Sequence, residues 1–148
     1  MVSLGLVQAP SAAAADSSTK YCTINISTGY TFCSSVDPDT AGRLARPAAD
    51  GGGSVILGRF YDDTDRDTAD GFTTVSAASG CDTSPDLDFT LGTMPSGWND
   101  RISSFQGFAN CTVKLWKNGG ATGTSFGPQT YADTLGTMNN QTSSITFY

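Results

Sequence analysis

The feature that most limits what this chain can fold into is a segment that occurs twice. Leu91-Gly92-Thr93-Met94 is followed, after four residues, by Asn99-Asp100-Arg101-Ile102-Ser103-Ser104. Leu135-Gly136-Thr137-Met138 runs directly into Asn139-Asn140-Gln141-Thr142-Ser143-Ser144. Each copy reads two Asn/Asp, two variable residues and Ser-Ser, just ahead of an apolar stretch. A duplication of this kind implies two copies of one structural unit packed together.

The rest of the C-terminal part repeats more loosely. Val55-Ile56-Leu57 and Phe60-Tyr61 form a strand, then come an Asp-rich loop from Asp62 to Asp70 and a second strand from Phe72 to Val75. Leu87 to Leu91 and Ile102 to Phe108 complete the first unit. In the second, Thr112 to Trp116 alternates, Lys117 to Gly123 is a Gly-rich turn, Ser125-Phe126 opens a strand, and Ile145 to Tyr148 closes the chain. Short alternating runs between turn residues are strand signals. Two units of four strands predict an all-β sandwich of two Greek keys over residues 54–148.

Residues 16–53 have a different character. Tyr21 to Cys33 alternates around Thr28-Gly29, a hairpin signal, whereas Asp37-Pro38, Arg46-Pro47 and Gly51-Gly52-Gly53 mark a linker and a domain boundary. The sequence leaves open whether this hairpin packs on the sandwich. Residues 1–15 carry an apolar run, Val2 to Val7, and Ala13-Ala14-Ala15 before Asp16. They read as a secretory signal with its start clipped, and place the protein outside the cell. Nothing is long and apolar enough to span a membrane.

Four cysteines in an exported chain imply two disulfides. Three pairings are open, of which Cys22–Cys33 and Cys81–Cys111 each close a loop within one region. There is no histidine, and all 14 acidic residues are aspartate. That excludes Ser-His-Asp and Cys-His catalysis and the zinc sites that rely on imidazole. A pair of aspartates could still do glycosidase-like work, but nothing in the sequence locates one. The net charge of −6 disfavours nucleic acid and anionic membranes, which need clustered Lys and Arg.

An Asn/Asp-rich turn entering a Ser-Ser strand offers an amide or carboxylate oxygen, a backbone carbonyl and a hydroxyl. Calcium takes six to eight such hard donors, so two matched turns with water can complete its shell. Here the chain resembles the βγ-crystallin family, in which the motif Asn/Asp-Asn/Asp-x-x-Ser/Thr-Ser occurs once per Greek key. Trp98 ahead of the first copy is similar to the family's Gly-Trp lead-in. The resemblance covers residues 54–148 and implies two calcium sites built by exchange of ligands between the motifs. The implied ligands are Asn99 or Asp100, the Arg101 carbonyl and Ser103, with Asn139 or Asn140, the Gln141 carbonyl and Ser143. Carbonyls near Asp63 and Asn118 would add to them, and Ser104 and Ser144 would make structural hydrogen bonds. The aromatic corner of each first hairpin only approximates the family's, and the Asp62–Asp70 loop is longer than usual.

Asp63-Thr64-Asp65-Arg66-Asp67 imitates the start of an EF-hand, but its sixth position is Thr68 and its twelfth Thr74. Without glycine and glutamate there, an acidic hairpin loop is the better reading. Sequons at Asn25, Asn110 and Asn140 are explained by chance in a Ser/Thr-rich chain. Trp98, Trp116, Phe60, Phe108 and Phe126 read as core. The leading expectation is a secreted, non-enzymatic, calcium-binding module. One alternative is an adaptor of a secreted, multi-protein antibacterial toxin assembly, docking a protein partner through residues 16–50. Another, resting on fold alone, is a protease inhibitor or killer-toxin-like protein.

Overall fold

The computed structural model describes residues 19–36 and 54–148. The signal expected over 1–15 and the linker expected over 37–53 lie outside them. Ten strands form two sheets. β1 (Tyr21–Asn25), β2 (Tyr30–Ser34), β3 (Val55–Tyr61), β4 (Phe72–Ala77), β6 (Ser104–Gly107) and β9 (Tyr131–Ala132) make one, in the order β2-β1-β4-β3-β6-β9. β5 (Phe89–Leu91), β7 (Val113–Asn118), β8 (Thr122–Gln129) and β10 (Ser144–Phe147) make the other, in the order β5-β10-β7-β8.

Two Greek keys follow from that order. The first unit contributes β3, β4 and β6 to one sheet and sends β5 across to pair with β10. The second contributes β7, β8 and β10 to the opposite sheet and sends β9 back to pair with β6. Each unit lends its third strand to the other, so neither closes its own sheet. The alternating residues meet between the sheets: Leu57 and Phe60 of β3, Phe105 of β6, Leu115 of β7 and Phe147 of β10 are all fully buried. The Phe60 ring packs edge-on against Phe147 at 6.2 Å, a geometry that matches the ring quadrupoles. Trp98 and Phe60 are core, as expected, while Phe108 lies at the surface, 40% exposed.

The hairpin joins the first sheet. β1 runs parallel to β4 from Tyr21 beside Phe72 to Asn25 beside Ser76, and Cys22 and Ile24 point into the common core. A parallel partner distant in sequence leaves no local signature. Cys22 and Cys33 face each other across β1 and β2 and are bonded, with Cα atoms 4.1 Å apart. Cys81 and Cys111 are bonded across 5.0 Å. Chain-entropy arithmetic for these loops gives about 3 and about 4 kcal/mol respectively. Among the described residues, no helix is long and apolar enough to cross a membrane.

Candidate metal centre

The two Asn/Asp-rich turns sit back to back and hold each other. The Asp100 N–H donates to the Thr142 carbonyl at 2.9 Å, and the Asn140 N–H to the Ile102 carbonyl at 3.0 Å. Both residues are left-handed, with φ of 58° at Asp100 and 55° at Asn140. Asparagine and aspartate tolerate that region better than other side-chain-bearing residues. The second motif position therefore needs Asn or Asp twice over, for its backbone and for its oxygen.

The side chains then cross between units. The Ser103 hydroxyl donates to the Asn140 amide oxygen at 3.1 Å. The Ser143 hydroxyl donates to the Asp100 carboxylate at 3.3 Å. Each pairing takes its hydroxyl from one unit and its Asx oxygen from the other. At calcium's oxygen distance of about 2.4 Å, such separations subtend about 80–90° at the ion, the spacing of neighbours in its shell. The donor set thus fits a hard cation. Ser103 is 4% exposed, whereas Asp100 and Asn140 face solvent, so an ion has a way in.

The second serine of each motif has a different task. Ser104 is fully buried; its hydroxyl donates to the Asp63 carbonyl at 2.6 Å and accepts the Arg66 N–H at 3.0 Å. Ser144 does the same with the Asn118 carbonyl at 2.5 Å and the Ala121 N–H at 3.0 Å. Arg66 and Ala121 are both left-handed, with φ of 58° and 57°, so the hydroxyl pins corresponding turns in the two units. The carbonyls of Asp63 and Asn118 accept these hydrogen bonds. Asn99 and Asn139 are exposed, and their N–H groups close turns onto the Pro95 and Gly136 carbonyls.

One functional contact has no counterpart in the sequence reading. Gln141 turns back onto the Asn140 carbonyl, but Arg101, at the corresponding position, reaches away from its motif. Its Nε pairs with Asp62 at 2.8 Å, its Nη1 donates to the Thr19 and Gly97 carbonyls, and its Nη2 donates to that of Asp70. The guanidinium lies over the Trp98 ring at 4.6 Å. The signal available in the sequence was the mismatch itself, an arginine where the other motif has glutamine.

The EF-hand-like run is a 3₁₀ turn over Thr64–Arg66. Its Asp63 and Asp67 carboxylates accept the N–H groups of Asp70 and Ala69. Among the described residues, no three Cys or Asp side chains gather as a metal cluster; the paired turns draw instead on amide, hydroxyl and a single carboxylate. Asp82 is an exposed turn acceptor, and the Ser84 hydroxyl and N–H hold its carboxyl below the usual range. That is the opposite direction to the one a general acid needs.

A sandwich of two Greek keys that exchange their third strands, with an Asx-Ser clamp entering the last strand of each, is a βγ-crystallin-type fold. No family model matches the chain, and no curated protein matches it. Among solved structures it is similar to the N-terminal domain of protein S, with 20% identity, 62% of this chain and 94% of that one covered, and a TM-score of 0.43. It is also similar to a double mutant of clostrillin in complex with nickel, at 23% identity, 62% and 97% coverage and a TM-score of 0.42. A double mutant of a βγ-crystallin domain from Clostridium beijerinckii shows 27% identity, 62% and 96% coverage and a TM-score of 0.41.

Proposed function

We propose that this chain is a secreted, non-enzymatic binding or structural module that takes up calcium at two sites, Asp100 with Ser143 and Asn140 with Ser103. The observation that carries this reading is the reciprocal crossing of hydroxyl and Asx oxygen between the units. The Arg101 and Gln141 carbonyls, adjacent to the Asx residues, are the next donors, and water fills the remainder. Those near Asp63 and Asn118 are less suited, since each already accepts a serine hydroxyl. The two disulfides support export, because such bonds persist in oxidising surroundings.

The cation's contribution is linkage: bound to the folded state alone, it stabilises that state by about 2.7 kcal/mol per site at a hundredfold excess over Kd. For a domain of this size that raises Tm by about 10 °C or more. Thermal unfolding in calcium and in chelator, beside a calorimetric titration of the full chain, tests it. A binding heat with two equivalents and a raised midpoint support the reading; no heat and coincident melts would sink it.

A second reading is that the N-terminal segment engages a protein partner within a secreted assembly. It is favoured by β2, the outermost strand of its sheet, whose neighbourhood exposes Tyr30 (46%) and Val36 (82%). A pull-down from the native culture supernatant with the wild type and with Tyr30→Ser/Val36→Ser tests it. Partners retained equally by both would refute docking at that edge.

A further inference from the structure

The two units depart from each other in two places, and both departures touch the N-terminal hairpin. The first unit inserts Pro95-Ser96-Gly97-Trp98 between Met94 and its Asx pair, where the second has nothing. It also carries Arg101 where the second has Gln141. Gly97 packs so closely that a Cβ there would lie 3.2 Å from the Thr19 side chain. Arg101 donates to the Thr19 carbonyl at 2.7 Å, and to the inserted turn itself through Gly97. On the opposite wall, Gly71 has φ +105° and a Cβ there would fall 2.0 Å from the Lys20 carbonyl. Lys20 Nζ donates to the Ala69 carbonyl at 3.4 Å. The entry to β1 is thus seated between the first motif's turn and the Asp62–Gly71 loop, with the Arg101 guanidinium joining both.

We propose that Arg101 makes hairpin docking and cation binding at the first motif mutually dependent. The inference rests on the calcium reading of that motif. The main chain of Asp100 and Arg101 belongs to the clamp, while the Arg101 side chain belongs to the seat of Thr19. A cation that holds the Asp100 carboxylate and the Arg101 carbonyl fixes the backbone from which the guanidinium projects. A seated Thr19 fixes the same backbone from the other side. Linkage then requires each event to strengthen the other by the same factor. The second motif has no such arm, because Gln141 folds back on its own turn.

Amide hydrogen exchange of the full chain reads this directly. The reporter is the Ile26 N–H, bonded to the Ser76 carbonyl at 2.9 Å, together with the other β1 amides. Calcium is expected to slow their exchange by about tenfold. Arg101→Gln gives the first motif the residue that the second already has, and leaves its main-chain carbonyl in place. That variant should still take up calcium by calorimetry but show no calcium dependence in β1. Asp62→Asn, which removes the arginine's ionic partner, should act in the same direction and more weakly. If wild type binds calcium while β1 exchange is unchanged, the coupling is wrong and the calcium reading stands. If Arg101→Gln keeps the full dependence, the effect is global and Arg101 carries none of it. Absence of any binding heat would overturn both readings.

Discussion

Asp100 and Asn140 occupy corresponding places in the two turns, yet one brings a charge and the other does not. Calcium affinity follows the charge of the ligand set, so the Asp100–Ser143 site should be the tighter one. Asp100→Asn is expected to weaken it by about tenfold and bring the two sites together in a titration curve; a curve unchanged by the substitution would contradict this. The adjacent serines separate ion binding from architecture. In chelator, Ser104→Ala should cost about 1–3 kcal/mol in urea unfolding, because it strands the buried Asp63 carbonyl and Arg66 N–H. Ser103→Ala, losing one bond to an exposed amide, should cost well under that in chelator, and should reduce the calcium-induced gain. The division between first and second serine was readable from the motif. The use of the Arg101 side chain was not, because a motif specifies only its carbonyl and the guanidinium's partners lie up to 82 residues away.

Among the elements, the strands that alternate over several residues were plain in the sequence: β3, β4, β7 and β10 fall where apolar and polar residues take turns. β9 was not, being only Tyr131–Ala132, too short for a period to show. Its place beside β6 comes from the exchange between units, which no local pattern encodes. The β1–β2 hairpin was legible as a hairpin, since Cys22 and Cys33 bracket an alternating run, but its seat was not. Parallel pairing with β4 depends on Gly71, which reads in the sequence as an ordinary loop glycine. Gly71→Ala should therefore destabilise the chain by about 1–3 kcal/mol through its positive φ, with a further loss from the clash with Lys20. Denaturant unfolding measures the sum, and a value near zero would show that the hairpin contributes little to the fold.

At the scale of the whole molecule, each disulfide staples only its own region: Cys22–Cys33 within the hairpin, Cys81–Cys111 within the sandwich. Between hairpin and sandwich there are strand pairing, two buried side chains and the Arg101 contacts, joined covalently by the backbone of residues 37–53 alone. Cysteine count and spacing favoured this pairing, but the consequence emerges only once β1 is found on the sheet. A single cut between residues 36 and 54 would turn an intramolecular seam into a second-order association. The nicked protein should travel as one species in size-exclusion chromatography when concentrated, and shed a small, internally crosslinked peptide on dilution. How far it must be diluted is a direct measure of how firmly the seam closes.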